Sequence, residues 1–421
     1  MEPYYYQCSR CHQNFTAGEI EKESLYLCPD CGRTAPNEPL EGVLEIFYPY
    51  HQIAKNFSLD KLLNLPAGQI WRYPMLWPVN FNSIEPRNRK AIFERVTLPA
   101  NKLIHHHFSG VDVLLWDETN NPTFSYKDRA SILVALKAIE QGFNKISVAS
   151  TGNAGSSMAG IAARLGLQAH VWVPHTIPEA KLLQIMGYGA KVHLVHGDYD
   201  TAFDLCLEIS PRQKWFNRNT ALNPLTIEGK KSAAFDIFIQ MRGSIPKYIF
   251  VPAGDGVILA GIYKGFKDLQ ELGFIKSLPR LIAVQSRGSD AICRYLATGK
   301  FTFQPPETIA ESISVGAPRN LYLAARAVKE SGGFAVAVED GEIVEAQKQI
   351  SHETGILPEP AAAATLAGLK KAKERLEFHA SEKVLLLMTG NALKDLNSLK
   401  RLYRKPDELT PTIWRDRYLE P

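Results

Sequence analysis

Long apolar runs are missing from this sequence. No stretch approaches the roughly 18 consecutive apolar residues that a membrane-spanning helix needs, so a membrane partner is not expected. The first residues, MEPYYYQCSR, lack the basic segment followed by an apolar segment that marks a secretory signal. These absences favour a cytoplasmic protein.

An excess of charge of either sign is also missing. The 48 basic and 44 acidic side chains nearly cancel, which leaves a formal charge of +4 over 421 residues. This balance gives no indication of a nucleic-acid partner or a membrane surface. Because 45% of the residues are hydrophobic, the chain has room for two sizeable cores and a small accessory module.

Cysteine is scarce, but four of the six cysteines lie within the first 31 residues. Cys8, Cys11, Cys28 and Cys31 form the pattern C-x2-C-x16-C-x2-C, and two such pairs can surround one tetrahedral zinc ion. A site of four thiolates would be closed and therefore structural. The alternatives are two disulfides, which a cytosolic compartment disfavours, and four unliganded thiols. We predict a zinc-binding module at residues 1–45.

From about residue 112, short apolar runs alternate with helix-like segments. The predicted strands are VDVLLW, KISVAS, AHVWVP, KVHLVH, KYIFVP, LIAVQS and KVLLLM. Strands that alternate with helices of 10 to 15 residues predict a parallel sheet with helices on both faces. The fold class is therefore α/β.

Two of these apolar runs lead into segments whose residues could act in catalysis or ligand binding. In NPTFSYKDR, Lys127 stands at a predicted helix start, where the positive helix end lowers the pKa of its amine slightly and favours nucleophilic attack. In SVASTGNAGSS, backbone amides and Asn153 follow a strand, at the position where open α/β sheets bind ligands. Taken alone, Lys127 would more often be a solvated surface lysine, and the second turn could equally be plain strand–helix geometry.

Two further segments repeat this arrangement. In IFVPAGDGVILAG, Gly254 and Gly256 allow the backbone to close round a phosphate at a helix N-terminus. An inward Asp255 carboxylate would repel that phosphate, so we expect this side chain to turn outward. In VLLLMTGNALKD, an apolar strand ends in Thr389.

Together, the four segments resemble the fold-type II pyridoxal-phosphate enzymes, and most closely the threonine synthases. The resemblance implies that Lys127 carries the cofactor, that Asn153 hydrogen-bonds the pyridoxal 3-oxygen, and that the Thr389 hydroxyl reaches the pyridine nitrogen. It also implies that the cofactor phosphate is bound by Gly254, Asp255, Gly256, Val257 and Ile258. The segments CPDCG, NPLTIEGKKS and EPAAAATLAGL resemble family segments as well, so the similarity spans nearly the whole chain.

The resemblance also implies an architecture, which is that of the tryptophan synthase β-like fold. Two α/β lobes would hold the cofactor between them, with the zinc ribbon at the N-terminus. Residues 46–135 and 225–421 would form the large cofactor-binding domain, and residues 136–224 a smaller mobile one. The oligomeric state is left open, with a homodimer as one candidate.

The implied reaction is that of a pyridoxal-phosphate lyase of threonine biosynthesis, which converts O-phosphohomoserine and water into threonine and phosphate. Lys127 would move protons between substrate carbons. A threonine hydroxyl at the pyridine nitrogen does not fix a positive charge on the ring, which suits elimination and replacement better than transamination.

The sequence departs from the family pattern at the predicted substrate site. Thr226 stands where the family carries an arginine, Phe124 replaces a glycine and could narrow the substrate space, and NAGSS replaces a more usual NTSAS-like string. The predicted substrate-binding residues are Ser125, Thr151, Ser156, Ser157 and Thr226. A replacement cation for the arginine could come from Lys181, Lys230, Lys231 or Arg319.

Two other interpretations remain open at this point. One is a pyridoxal-phosphate enzyme that performs β-elimination or β-replacement on serine, threonine or O-phosphoserine, similar to dehydratases or cysteate synthase. The other is a protein without turnover, either a cofactor-binding regulator or a nucleic-acid binder that uses the zinc ribbon. The intact Lys127 argues against the regulator, and the modest charge argues against the nucleic-acid binder.

Overall fold

The structure is a computed structural model that describes residues 2–84, 86–150, 152–177, 179–197, 199–379, 382–403, 406, 408 and 410–418. Its strands are β1 Tyr5–Cys8, β2 Asn14–Thr16, β3 Leu44–Phe47, β4 Leu103–Phe108, β5 Val111–Asp117, β6 Lys145–Ala149, β7 Gln168–Pro174, β8 Lys191–Val195, β9 Phe216–Asn217, β10 Tyr248–Pro252, β11 Arg280–Ser286, β12 Phe334–Val338 and β13 Val384–Met388.

The helices of the first half are α1 Ala17–Lys22, α2 Tyr50–Asn56, α3 Leu59–Leu63, α4 Pro86–Val96, α5 Lys127–Glu140, α6 Asn153–Leu165, α7 Glu179–Gly187 and α8 Tyr199–Arg212. Those of the second half are α9 Leu225–Gln240, α10 Val257–Glu271, α11 Ala291–Thr298, α12 Leu321–Glu330, α13 Asp340–Thr354, α14 Pro360–Ala372, α15 Leu396–Leu402 and α16 Pro411–Tyr418. Among the described residues, no helix combines the length and the apolar character needed to cross a bilayer.

Two sheets with helices packed around them confirm the predicted α/β class. The larger sheet has the strand order β12-β11-β10-β13-β5-β4, and the smaller one has the order β8-β7-β6-β9. The strands of the smaller sheet fall between residues 145 and 217, inside the segment predicted as the small domain. The mobility of that segment stays a prediction.

One strand departs from the predicted parallel arrangement. Strand β4 pairs with β5 in the antiparallel direction. The two strands are joined by Ser109 and Gly110, whose φ angles of 51° and 80° are those of a tight hairpin turn. The β4 sequence LIHHHF lacks the alternation of apolar and polar residues that predicts a strand. The reason is that β4 lies at the edge of the sheet and is only partly buried.

The centre of the large sheet positions the segments that follow its strands. Strand β13 lies between β10 and β5 and runs parallel to both. Strands β10 and β13 are buried along their whole length, which explains their continuous apolar sequences YIFVP and VLLLM. Since parallel strands end at the same edge of a sheet, the segments after β5, β10 and β13 meet there.

The N-terminal module is a three-stranded antiparallel sheet with the order β2-β1-β3. The chain that leaves it is fixed to a buried charged cluster on α9 and α10. The Tyr48 hydroxyl donates to Glu228 (2.5 Å), and the Tyr50 hydroxyl donates to Asp268 (2.6 Å). The Lys231 ammonium lies 4.1 Å from the centre of the Tyr48 ring, within the range of a cation–π contact.

Candidate active site

A cavity of about 410 Å³ lies between the two sheets. Its lining includes Lys127, Asn153, Gly254, Asp255, Gly256, Val257, Ile258 and Thr389. These are the eight residues that the resemblance assigned to the cofactor, and the structure brings them together from segments up to 262 positions apart. The rest of the wall includes several residues between 303 and 319, Asp200 and Thr220 of the other lobe, and Asn37 of the N-terminal module.

Lys127 is the first residue of α5, and the segment before α5 is held against the end of β13. The Tyr126 backbone N–H donates to the Thr389 carbonyl (2.9 Å), and Ser125 forms an isolated bridge with Gly390. Burial and the positive charge of Arg218 lower the pKa of the Lys127 amine to about 8, against the opposing charges of Asp255 and Glu359. Roughly a tenth of this amine is therefore neutral, and nucleophilic, at pH 7.

The glycine-rich turn after β10 forms a cradle at the N-terminus of the 15-residue helix α10. Gly256 has a φ angle of 83°, which favours glycine, and a β-carbon on it would lie 2.5 Å from the Ala324 β-carbon. A β-carbon on Gly254 would lie 2.9 Å from the Ile313 α-carbon. At these two positions only glycine fits. The backbone amides in the first turn of α10 are available to an anion.

The Asp255 carboxylate is held locally. It accepts the backbone N–H of Arg319 (3.2 Å), while the Asp255 carbonyl accepts the backbone N–H of Asn320 (3.1 Å). Burial raises the pKa of Asp255, although this hydrogen bond and the charges of Lys127, Arg319 and Lys230 act in the opposite direction. The side chain is half-buried and hydrogen-bonded within the protein, so it does not turn outward into solvent, contrary to what we expected from the sequence.

Glu359 is a site residue that the sequence did not reveal. Its carboxylate accepts the Asn153 side-chain amide (2.7 Å) across the two lobes, and the Ser312 hydroxyl lies 3.3 Å from it. Burial raises the pKa of Glu359. The Asn153 Oδ1 atom is buried without a hydrogen-bond partner among the described residues, so the amide keeps one acceptor for a ligand. The only signal in the sequence was the family-like segment EPAAAATLAGL.

Four of the five residues predicted to bind the substrate through their hydroxyls lie outside the cavity wall. Ser125, Ser156, Ser157 and Thr226 are all buried, and none is among the described residues that line the cavity. The Ser157 hydroxyl donates to Asp128 (2.7 Å), the Ser156 hydroxyl accepts the Lys394 ammonium (2.9 Å), and the Thr226 hydroxyl donates to the Asn223 carbonyl (2.8 Å). The geometry gives their predicted role no support. Thr151 lies outside the described residues.

Phe124 does not narrow the substrate space. Its side chain is exposed and is not part of the cavity wall. Its backbone has a φ angle of 65°, so the position still has the left-handed conformation that suits a glycine. The substitution therefore concerns backbone strain and the outer surface.

The four proposed replacement cations have different environments. Lys181 pairs with Glu311, and Lys231 pairs with Glu228 (2.5 Å) and Asp268 (2.8 Å). Arg319 pairs with Asp200 and donates to two backbone carbonyls. The Lys230 amine, in contrast, is buried without a hydrogen-bond partner among the described residues. Burial and the charges of Lys127 and Arg218 hold the pKa of Lys230 well below its ordinary value.

The four N-terminal cysteines form a compact cluster. Their sulfur atoms all lie within 4.8 Å of one another, with Cys8 and Cys31 at 3.4 Å and Cys11 and Cys28 at 3.7 Å. A disulfide needs about 2.05 Å between sulfurs. A tetrahedron with Zn–S bonds of about 2.3 Å places them about 3.8 Å apart. The cluster therefore has the dimensions of a metal site rather than of two disulfides.

The sequence of this chain matches a protein family and full-length relatives of known name. The family model described as pyridoxal-phosphate dependent enzyme matches residues 97–390. Threonine synthase from Methanocaldococcus jannaschii is 34% identical over 405 residues, which are 95% of each chain, and that from Methanosarcina acetivorans is 31% identical over 415 residues, which are 97% of each.

Solved structures share the fold at lower identity. Threonine deaminase isoform 2 from Solanum lycopersicum superposes with a TM-score of 0.61 at 20% identity, covering 82% of this chain and 93% of that one. Maize serine racemase gives a TM-score of 0.61 at 18% identity, covering 82% of this chain and 98% of that one. With the family match, the full-length relatives and the cavity between two lobes, the chain belongs to the family of pyridoxal-phosphate dependent enzymes that includes the threonine synthases.

Proposed function

We propose that the protein is a threonine synthase, a lyase that converts O-phosphohomoserine and water into threonine and phosphate. The observation that carries the proposal is the length of the similarity. The two archaeal threonine synthases match 95% and 97% of this chain, so the likeness includes the N-terminal cysteine module as well as the cofactor-binding lobes.

The residues present fit pyridoxal phosphate. The cradle of Gly254 and Gly256 at the start of α10 suits its phosphate, and the unpaired Asn153 Oδ1 offers a polar contact to its ring. Thr389 follows β13 directly, lines the same cavity and would hold the ring nitrogen, while Lys127 would hold the cofactor covalently. Glu359 does not need to contact the cofactor, because it acts as a positioning residue that orients the Asn153 amide.

Among the residues of this chain, Lys127 would carry out the proton transfers. When bound, pyridoxal phosphate supplies an electron-withdrawing system that stabilises negative charge on the carbons of an amino acid. Lys127, with a pKa of about 8, can take a proton from one substrate carbon and return it to a neighbouring one.

One observation favours the second candidate, β-elimination from serine or threonine. Among the described residues that line the cavity, the only cations are Lys127 and Arg319, and the Arg319 guanidinium is paired with Asp200. Thr226, at the family arginine position, donates its hydroxyl to the Asn223 carbonyl, just before its own helix. A substrate phosphate therefore lacks a bidentate partner on the cavity wall, whereas serine or threonine would not need one.

Product analysis separates the two candidates. For a threonine synthase, purified protein and O-phosphohomoserine should yield threonine and phosphate in equal amounts, without ammonia. Release of ammonia from serine or threonine, together with no phosphate from O-phosphohomoserine, would reject the proposal in favour of the elimination reaction.

We predict that Lys230 supplies the missing cation. Its amine is not on the cavity wall, but it interacts with the charges of Lys127 and Asp255, so we expect it to gain a proton when the substrate phosphate binds. Replacing Lys230 with methionine should lower kcat/KM for O-phosphohomoserine by roughly 10- to 100-fold, on the scale of one hydrogen bond to a charged group. Thermal stability should be kept, because the buried amine has no partner to lose. The measurements are steady-state kinetics and thermal unfolding.

Lys231→Met is the matched neighbour for this test. Lys231 is equally buried but pairs with Glu228 and Asp268, so its loss should cost stability, about 1–3 kcal/mol, and leave the KM close to the wild-type value. Wild-type kinetics in Lys230→Met would show that the phosphate is held elsewhere. A loss of cofactor affinity in Lys230→Met would mean that Lys230 serves the cofactor instead.

We also propose that the cysteine module binds one structural zinc ion. Freshly purified protein should contain about one zinc per chain, and the double replacement Cys28→Ser and Cys31→Ser should remove it with cofactor binding at least partly kept. Cys293→Ser is the control, because Cys293 lies outside the cluster and should leave the metal content unchanged. Elemental analysis and thiol titration measure both quantities. Metal-free protein with four freely titratable thiols would disprove the site.

A further inference from the structure

The turn that follows the cysteine cluster reaches the mouth of the active-site cavity. The Glu38 backbone N–H donates to the Ala35 carbonyl (3.3 Å), which closes a turn over Pro36 and Asn37. Asn37 has a φ angle of 54°, a left-handed conformation that asparagine tolerates better than most residues. Asn37 is exposed, and it is part of the cavity wall.

This turn is anchored at both of its ends. The Arg319 guanidinium donates to the Ala35 carbonyl (2.8 Å) and to the Glu38 carbonyl (3.0 Å). The Leu40 backbone N–H donates to the Arg319 carbonyl (3.0 Å). Because the anchoring side chain is itself buried, the position of Asn37 is set by the body of the protein.

Arg319 also connects the turn to both sides of the cavity. Its guanidinium pairs with Asp200 of α8 and lies 5.5 Å from the centre of the Phe203 ring. Its backbone N–H donates to Asp255 in the glycine-rich turn (3.2 Å). The turn that carries Asn37 is therefore held where the small lobe and the phosphate cradle meet.

The Asn37 amide itself is unused. It forms no hydrogen bond with any other described residue, although it is fixed at the edge of the cavity. The amino end of a substrate must approach Lys127 in the interior, so its other end faces outward. A primary amide offers two N–H donors to an anion at that end without adding charge.

We propose that Asn37 is a specificity-determining residue, whose amide donates to the anionic distal group of a phosphorylated amino-acid substrate. The proposal rests on the proposed function for the identity of that substrate. It assigns a part in substrate recognition to the N-terminal module, in addition to the structural role of its cysteines.

Two replacements of Asn37 test the proposal in the holoenzyme. Asn37→Asp keeps the shape but adds a negative charge, and it should lower kcat/KM for O-phosphohomoserine by roughly 10- to 100-fold, mainly through KM. Asn37→Gly keeps the left-handed backbone but removes the amide, and it should lower kcat/KM by less. Cofactor affinity, zinc content and melting temperature should match those of the wild type. Ser24→Gly, at another left-handed position of the same module, is the control and should change none of these quantities.

The outcomes are distinct. Unchanged kcat/KM in both Asn37 variants would overturn the proposal, and so would a loss of cofactor affinity that accounts for the kinetic change. If the wild type does not use O-phosphohomoserine, the proposed function fails by itself. Asn37 is then judged by the dissociation constant of O-phosphoserine, measured through the visible absorbance of the bound cofactor. Equal values for wild type and Asn37→Asp would reject the specificity role.

Discussion

Replacement of Lys127 with alanine is expected to lower turnover by at least roughly 10²- to 10⁴-fold, the contribution of a positioned acid–base group, and to prevent covalent attachment of the cofactor. Among the described residues, no other lysine lines the cavity, so no second amine can substitute for it. Borohydride reduction followed by intact-mass measurement should show the added cofactor in the wild type and none in the variant.

Lys394 provides a matched control for this experiment. Burial lowers its pKa to about 8 as well, but its ammonium donates to the Thr123 carbonyl (2.8 Å) and the Ser156 hydroxyl (2.9 Å), outside the cavity wall. Lys394→Met should therefore keep the cofactor attached. If Lys127→Ala retained attached cofactor and full activity, the assignment of the active site would be wrong.

Replacement of Arg129 with methionine is expected to lower the free energy of unfolding by roughly 3–5 kcal/mol, the usual effect of breaking a buried ion pair. Arg129 lies two residues after Lys127 and pairs with Glu118 (2.7 Å) and Asp236 (2.6 Å), all of them buried. Although burial alone would raise the pKa of Glu118, the charges of Arg129 and Lys102 hold it below its ordinary value. Without Arg129, two buried carboxylates lose their main counter-ion.

Denaturant unfolding of the variant and of a surface control measures this effect. Arg212 pairs with Glu208 at 3.0 Å on the exposed side of α8, so Arg212→Met should leave stability nearly unchanged. If the two variants unfolded at the same denaturant concentration, Arg129 would not stabilise the lobe as described. Since Arg129 shares α5 with Lys127, loss of this pair should also loosen cofactor binding.

The residues that the resemblance assigned to the cofactor line one cavity because each belongs to the segment that follows an apolar strand. The segments with Lys127, Thr389 and the glycine-rich turn follow β5, β13 and β10 of the large sheet, whose parallel direction brings their ends to one edge. Asn153 follows β6 of the smaller sheet. The seven predicted strands correspond to β5, β6, β7, β8, β10, β11 and β13. The strands that were not predicted include β12, whose short sequence FAVAV carries little signal by itself.

Contacts between distant segments could not be predicted in the same way. Glu359 meets Asn153 across 206 positions of sequence, and Asn37 reaches the cavity through an anchor at Arg319, some 280 positions away. Neither pair is visible in a local pattern, because the partners belong to different lobes or modules.

Helix orientation explains the substrate residues that the structure places elsewhere. Ser156 and Ser157 follow Asn153 by three and four positions on α6, but their hydroxyls contact Lys394 and Asp128 instead of the cavity. The two neighbouring lysines on α9 differ in the same way. The Lys230 amine has no hydrogen-bond partner among the described residues, whereas Lys231 forms an ion pair. Composition marks such residues as polar, but only packing decides which face they occupy.

The central place of β13 has a consequence for synthesis of the protein on the ribosome. Strands β5 and β10 are translated before β13, which lies between them in the sheet and consists of residues 384–388. Until that strand emerges, the nascent chain exposes two unpaired apolar strand edges, which are templates for pairing with other chains. Lys127 also lacks the Thr389 carbonyl that fixes the segment before it. A pocket for the cofactor is therefore complete only after residues 384–389 have been translated, so the strand that completes the large sheet also completes the candidate active site.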